Sequence, residues 1–215
     1  MKRAFFMSST PSETKVRLLD AAESLFGELG WAGASIREIT TKADVNLAAA
    51  NYHFGGKEDL LLAVLERRTS ELNRRRIERL DVVEADEHDL RAVLEAFAAP
   101  VFDMARSDRG HAFLRLMGRA LADPDAPFQE HVRCGAFDAV RQRFGSALQR
   151  LCPELSAEDH TWRLTFMVGA MAFPMIHGLP TGREAADADA SLTACLDQLL
   201  PFLEGGMRAP SPTPT

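Results

Sequence analysis

SIREITTKADVNLAAANYHFGGKEDL, residues 35–60, predicts two short helices joined by a tight turn. Ser35 and Glu38 have the Ser-x-x-Glu spacing of a capping box, in which each side chain accepts a hydrogen bond from the other residue's backbone N–H. Asn46 is a favourable N-cap for the second helix, and Gly55-Gly56 ends that helix. This stretch therefore has the length, the helix caps and the turn of a helix-turn-helix unit.

A longer amphipathic helix is predicted immediately before this stretch. Within residues 10–31, apolar side chains recur at steps of three and four, which indicates one face of an α-helix. Gly30 is predicted to end that helix, because glycine enters the left-handed region without steric cost. The stripe consists of Leu18, Leu19, Ala22, Leu25, Phe26 and Leu29. Three such helices form the DNA-binding unit whose last helix enters the major groove.

The third helix has side chains suited to a DNA surface. Leu47 and Ala48 are slim enough for the helix to approach base edges and to contact thymine methyl groups. The Tyr52 hydroxyl and the His53 imidazole can donate hydrogen bonds to phosphates, and Lys57 adds a positive charge at the start of the next helix. The predicted DNA contacts are Arg37 (to a phosphate or a guanine edge), Leu47, Ala48, Asn51 (to a base), Tyr52, His53 and Lys57.

Charge is distributed unevenly along the chain. Residues 1–84 hold 13 basic and 13 acidic residues, whereas residues 85–215 hold 12 basic and 18 acidic residues, which accounts for the whole net charge of -6. A polyanion such as double-stranded DNA would be repelled by the second part. The N-terminal part is therefore the expected location of any polyanion-binding surface, although a charge-balanced surface is also what ordinary solvation requires.

Composition excludes several classes of protein. The 215 residues are 46% hydrophobic and 26% charged, as in a folded globular protein. The opening MKRAFF lacks the apolar stretch of a secretion signal, and no window approaches about 18 uninterrupted apolar residues. We therefore expect a cytoplasmic protein without a membrane partner. Three widely spaced cysteines without a CxxC pair predict no disulfide framework or zinc site, and we expect no metal and no cofactor.

The remainder of the chain is predicted to be all-α. A long helix starts at Lys57, and further helices are expected at about 89–106, 109–122, 126–151, 157–178 and 190–204. The long helix carries an arginine run interleaved with glutamates, which favours a salt-bridged solvent face over a nucleic-acid surface. The predicted domains are a DNA-binding domain at 1–56, a helical ligand-binding and dimerisation domain at 57–207, and a disordered tail at 208–215.

The helical body is rich in methionine and phenylalanine. Such a stripe at helical spacing forms an ordinary core in most proteins. Adaptable thioethers and aromatic rings are also what a pocket for flexible apolar ligands uses, so periodicity leaves both interpretations open.

The residues AAESLFGELGW and SIREITTKADVNLAAANYHFGGKEDLL, near the N-terminus, resemble the TetR/AcrR family of bacterial transcription regulators. VNLAAANYHFGGKEDL is similar to the fatty-acid-responsive PsrA-like subgroup, and RLMGRAL, TWRLTFMVGAMAF and LPFLEGGMRA resemble it more loosely. Two positions depart from the family pattern. Asp44 stands where the family usually has a turn glycine, and Gly56 stands where it usually has a serine cap.

The resemblance implies a function. Family DNA contacts fall on Arg37, Leu47, Ala48, Tyr52, His53 and Lys57. A homodimer would bind a pseudo-palindromic operator, as a repressor released by a small apolar effector such as a long-chain fatty acid or acyl-coenzyme A. The expected pocket residues are Met104, His111, Phe113, Arg115, Met117, Phe137, Trp162, Phe166 and Met171, with Arg119, His131, Arg163 and His177 as further partners for a polar end. The family pairs its last two helices in the dimer, which implies an interface at Phe173, Leu192, Leu196, Leu199 and Leu203.

An all-helical enzyme and a ligand-sensing interaction protein are the two alternatives to a DNA-binding regulator. A carboxylate-bridged metal enzyme needs Glu-x-x-His motifs on facing helices, and no histidine here has a glutamate three positions before it. No G-x-S-x-G nucleophile motif occurs either. These absences predict that the protein is not an enzyme. The remaining alternative is a helical ligand-sensing interaction protein that does not bind DNA.

Overall fold

The computed structural model describes residues 11–86, 89–122, 135–177 and 188–211, and all regular structure in those ranges is α-helical. The helices are α1 (Pro11–Gly33), α2 (Ile36–Lys42), α3 (Leu47–Phe54), α4 (Lys57–Asp86), α5 (Leu90–Ala105), α6 (Asp108–Ala122), α7 (Asp138–Leu151), α8 (Ala157–His177) and α9 (Ala188–Arg208). The predicted all-α fold is confirmed. The predicted helix start at 126 and the end of the predicted tail, from 212, lie outside the described residues. None of the described helices has the length and apolar content needed to cross a bilayer.

The chain forms two compact units, which comprise Met1–Glu66 and Arg67–Thr215. In the first unit, α1, α2 and α3 contact one another. Their shared core consists of Leu18, Ala22, Phe26, Ile39, Ala50, Phe54 and Leu60. Most of the predicted α1 stripe faces this core, but Leu29 is 49% exposed, so the prediction was wrong at that residue.

A kink interrupts α1 near its end. The regular helix that begins at Pro11 ends at Gly30, as predicted, where the glycine takes a φ of 74°, and a short helical segment continues beyond it to Gly33. Beyond this kink, the half-buried Trp31 packs against Phe26 of the apolar stripe, with 5.9 Å between the two ring centroids.

The helix-turn-helix boundaries follow from local hydrogen bonds. The Ser35 hydroxyl accepts from the Glu38 N–H at 3.2 Å, and the Glu38 carboxylate accepts from the Ser35 N–H at 2.9 Å, which is the predicted capping box. The Ser35 hydroxyl also donates to the Glu38 carboxylate at 2.7 Å, and this bond, together with the one from the Ser35 N–H, lowers the pKa of Glu38. The Asn46 side chain accepts from the Ala49 N–H at 2.7 Å. Asp44 takes a φ of 51°, so this aspartate adopts the left-handed conformation that a turn glycine would otherwise supply.

The turn between α3 and α4 yields a stability prediction. Gly55 has φ 76° and ψ -56°, a region that side chains rarely occupy, and a Cβ there would lie 2.9 Å from Asp59 Oδ2. We expect Gly55→Ala to destabilise the first unit by about 1 to 3 kcal/mol. The neighbouring Gly56→Ser is the matched control, since Gly56 precedes α4 as its N-cap and serine there should stabilise by a few tenths of a kcal/mol.

Urea unfolding monitored by tryptophan fluorescence would measure both effects. The chain has two tryptophans, so a Trp162→Phe background leaves Trp31 as the reporter for the first unit. Equal unfolding midpoints for Gly55→Ala and Gly56→Ser would show that the Gly55 backbone conformation is not required.

In the second unit, α5 is the central helix. It contacts α6, α7 and α9, while α8 contacts α6, α7 and α9. The arginine run of α4 mostly forms the predicted salt-bridged face: Arg74 pairs with Glu78 at 2.7 Å, and Arg68 and Arg75 both pair with Glu71. Arg76 is the exception, because it is only 5% exposed. The prediction of a solvent face was therefore wrong for Arg76.

Candidate nucleic-acid interface and effector cavity

One side of α3 is free of packing and bears slim side chains. Ala50 and Phe54 point into the first unit's core, since they lie one helical turn apart, whereas Leu47, Ala48 and Asn51 are exposed. Nothing larger than leucine projects from this part of the surface until Tyr52. The exposed half of α3 can therefore approach a groove closely without removing any core residue.

Tyr52 is the most exposed large side chain at the end of this face. Its side chain is 85% exposed, although a tyrosine ring normally gains by burial. The ring lies 5.3 Å from the His53 imidazole in an edge-to-face arrangement, and His53 itself is half-buried beside Phe54. The Tyr52 hydroxyl is thus presented to solvent, while the imidazole is partly covered.

Lys57 lies at the start of α4, as predicted, but its side chain packs on an aromatic ring of α1. Its ammonium group lies 4.3 Å above the centroid of the Trp31 ring, which holds the charge at the start of α4 through a cation–π interaction. An ammonium group has three donors, so this contact leaves N–H groups for an anion. The sequence alone does not reveal the role of Trp31, because its contact with Lys57 joins residues 26 positions apart.

Arg37 completes the set of predicted DNA contacts. It lies in the first turn of α2 and is exposed, while its carbonyl accepts hydrogen bonds from the Thr40 and Thr41 hydroxyls. Helix α2 contacts α3 in the first unit. All seven predicted DNA residues therefore belong to the first unit, and five of them are exposed.

A cavity of about 430 Å³ lies in the second unit. Its wall is mostly apolar, with Arg76, Arg141, Thr161 and Thr165 as polar members. Among the residues predicted for a pocket, Phe113, Met117, Phe137 and Met171 line it. The volume falls within the usual range for small-molecule sites.

The other predicted pocket residues lie elsewhere. Met104, His111 and Arg115 are not in the cavity wall, and Trp162 and Phe166 are exposed on α8, where their rings stack 5.8 Å apart. Helical spacing showed that these side chains share faces with core residues, but it did not show which face looks inward. A pocket role for these five residues stays a prediction.

The predicted polar partners also need correction. Arg163 donates to the backbone carbonyls of Gly206 and Met207 at 2.9 and 2.7 Å, so it caps the end of α9 and does not enter the cavity. The side chains of Arg119, His131 and His177 lie outside the described residues.

The predicted dimer residues divide into two groups. Leu192, Leu199 and Leu203 are buried and Leu196 is half-buried, because the apolar stripe of α9 belongs to the helix that packs on α5 of the same protomer. The three buried leucines are thus covered within their own protomer, and their place in a dimer interface stays a prediction. Phe173, by contrast, is 64% exposed.

Four aromatic side chains are exposed on two helices that contact each other. They are Trp162, Phe166 and Phe173 on α8 and Phe202 on α9, and we call this set the α8–α9 aromatic face. Its α8 members recur at helical spacing, with Gly169 between Phe166 and Phe173. A Cβ at Gly169 would meet no atom of the protomer within 4 Å. Large exposed apolar surfaces of this kind mark interaction sites.

Comparisons with known proteins agree with this arrangement. Residues 18–64 match the sequence profile of the bacterial regulatory proteins of the tetR family, and residues 95–206 match the tetracyclin repressor-like C-terminal domain. The HTH-type transcriptional repressor Rv3405c of Mycobacterium tuberculosis is 38% identical over 146 residues, which is 66% of each chain. The dual regulator CecR of Shigella flexneri is 46% identical over 57 residues, 26% of this chain and 25% of CecR. The first curated relatives are thus matched over about a quarter of their length.

A solved structure extends the likeness over nearly the whole fold. The fatty acid degradation regulator FadR from Bacillus halodurans superposes with a TM-score of 0.71 at 16% identity, covering 91% of this chain and 96% of FadR. At that identity the likeness concerns the fold alone. The profile of the C-terminal domain, however, spans more than half of the 215 residues, and the profile of the tetR-family N-terminal region precedes it in the same chain. The chain belongs to the TetR family of bacterial transcription regulators.

Proposed function

We propose that the protein is a homodimeric repressor that binds a pseudo-palindromic operator and is released by a small apolar effector. The observation that carries the proposal is the exposed α3 face, where Leu47, Ala48 and Asn51 precede the projecting Tyr52 hydroxyl. Slim residues let a helix enter the major groove, and a hydroxyl beside it can hold a phosphate. The alternative, a sensor without DNA binding, leaves this exposed and unpacked face without a role.

The homodimer is supported by the α8–α9 aromatic face. A twofold dimer uses the same surface on both protomers, so the aromatic side chains of one copy would pack on those of the other. Two recognition helices about 34–36 Å apart would then match two half-sites separated by one turn of the duplex. The domains predicted from the sequence, 1–56 and 57–207, assign DNA contacts and dimerisation to different parts of the chain.

The cavity supports an apolar effector. Phe113, Met117, Phe137 and Met171 provide rings and thioethers that adapt to a flexible chain. We propose a long-chain fatty acid or its coenzyme A thioester, as in the PsrA-like subgroup, and FadR of Bacillus halodurans, whose fold is similar, is named as a fatty acid degradation regulator. An effector that binds better to the conformation unable to bind DNA lowers DNA affinity, and DNA weakens the effector by the same factor.

Selection of bound duplexes from a random pool, followed by titration with and without oleate, would test this function. We expect DNA affinity to fall steeply with salt, because phosphate contacts release counterions, and to fall about 5 to 150-fold when oleate is added. Lys57→Ala should weaken binding to every duplex alike and reduce the salt slope by about one, since one phosphate contact is lost.

The outcomes separate the two parts of the proposal. Recovery of no duplex from the pool would exclude DNA binding and favour the sensor alternative. Duplex binding that is unchanged by acyl compounds of every chain length would exclude the acyl effector and leave the DNA-binding function intact. An unchanged salt slope in Lys57→Ala would exclude the phosphate role of Lys57.

A further inference from the structure

Arg76 is a charged residue inside the wall of the apolar cavity. It lies on α4, is only 5% exposed and is one of the residues lining the 430 Å³ cavity. Its neighbours Arg74 and Arg75 pair with glutamates on the surface of the same helix. Arg76 alone of these three has turned inward, so its role differs from that of the salt-bridged face.

The contacts of Arg76 hold its guanidinium in one place without neutralising it. The Nε atom donates a hydrogen bond to the Phe97 carbonyl at 2.9 Å, and the guanidinium carbon lies 3.9 Å from the centroid of the Phe97 ring. Phe97 is in turn supported by an edge-to-face contact with Phe144 at 5.1 Å. Within the described ranges, no carboxylate pairs with Arg76.

Burial of this cation is unfavourable unless an anion joins it. Loss of hydration lowers the pKa of Arg76 to about 9, which still leaves the guanidinium protonated at neutral pH. A buried cation is normally accompanied by a carboxylate, because its solvation must be replaced. In Arg76 the Nε atom is occupied by the Phe97 carbonyl, and the terminal nitrogens of the planar fork suit the two oxygens of a carboxylate.

The other polar groups of the cavity wall do not compete for this role. The Thr161 and Thr165 hydroxyls already donate to the carbonyls of Ala157 and Thr161 at 2.9 Å. Arg141 donates to Asp138 at 2.9 Å, and both side chains are largely exposed. The described lining includes no aspartate or glutamate that could satisfy Arg76 from within. The cavity therefore combines an apolar wall with one buried positive charge.

We propose that the effector is an apolar-chain carboxylate whose carboxylate group pairs with Arg76 while its chain fills the cavity. This inference rests on the proposed function, in which the cavity takes the effector, and it selects between the two effectors named above. A free fatty acid has a carboxylate, whereas a coenzyme A thioester has none at its acyl end. Arg76 therefore distinguishes the free acid from both the thioester and a neutral alcohol.

Calorimetric titration of the full-length protein with decanoate, decanol, decylamine and decanoyl-coenzyme A would test the pairing. At neutral pH we expect the wild-type protein to bind decanoate at least tenfold more tightly than decanol, and more tightly than the amine or the thioester. Arg76→Met keeps an apolar side chain of similar length, so it should bind decanol as before and lose the preference for decanoate. Arg141→Met, which removes the other lining arginine, should keep that preference.

Several results would overturn the inference. A decanoate preference retained in Arg76→Met, or lost in Arg141→Met, would show that Arg76 does not hold the carboxylate. Equal binding of decanoate and decanol to the wild type would exclude the pairing but leave the apolar effector intact. If neither ligand bound while duplex binding persisted, the inference and the effector half of the proposed function would both fail. Should Arg76→Met not fold, Arg76→Lys replaces it, and a decanoate preference undiminished from wild type would contradict the planar pairing.

Discussion

Ala48→Glu is expected to reduce affinity for the selected duplex at least a hundredfold. Ala48 is exposed in the first turn of α3, so a longer side chain there would project into the space between the helix and the base edges. The new carboxylate would also face the phosphates, and like charges brought together at an interface cost several kcal/mol. Steric and electrostatic effects act in the same direction, so the loss should persist at every salt concentration used.

Ala139→Glu provides the matched control. Ala139 is also an exposed alanine near the start of a helix, α7, and its replacement changes the net charge by the same amount in the second unit. Its duplex affinity should stay within about twofold of wild type, and both variants should keep their melting temperature, since surface substitutions change stability by about 0.5 kcal/mol or less. Wild-type duplex affinity in Ala48→Glu would exclude α3 as the recognition helix.

Phe166→Glu is expected to convert the proposed homodimer into a monomer. Phe166 is 66% exposed and stacks on Trp162, so its ring becomes buried only when a partner covers it. Burying such a side chain contributes about 1.5–3 kcal/mol, and the glutamate adds the cost of desolvating a charge. A twofold interface doubles both effects, so the dimer dissociation constant should rise well over a hundredfold.

Sedimentation equilibrium would measure the dissociation constant, with Val82→Glu as the matched control. Val82 is also a largely exposed apolar residue of the second unit, but it lies on α4, outside the α8–α9 aromatic face. The control should remain a dimer, whereas Phe166→Glu should also lose operator affinity because a monomer contacts only one half-site. A Phe166→Glu protein that is dimeric at micromolar concentration would exclude this face as the interface.

Hydrogen bonds between near neighbours account for what could be predicted most accurately. The Ser35–Glu38 capping box, the Asn46 cap and the Gly55 stop were all located from residues no more than four positions apart. Such contacts form within one helical turn, so they depend little on the rest of the fold.

In the second unit, the sequence could not predict which apolar helix faces are buried within the protomer and which are exposed. The stripe Leu192, Leu199 and Leu203 has the spacing of an apolar helix face, yet it is buried inside its own protomer, while the aromatic rings of α8 point outward. Periodicity states that a helix has an apolar side but does not say which neighbour covers it. Of the nine predicted pocket residues, Phe113, Met117, Phe137 and Met171 line the described cavity, whereas the other five do not.

By itself, the sequence determined the all-α class, the helix-turn-helix boundaries and the presence of a methionine- and phenylalanine-rich helical body. Only the tertiary structure decided three features. Lys57 packs on the Trp31 ring, Arg76 is buried in the apolar wall of the cavity although its neighbours on α4 are surface arginines, and Phe166 is exposed. The physical reason is the range of the interactions. Caps and periodicity are local along the chain, whereas burial depends on which distant helix removes water from a given side chain.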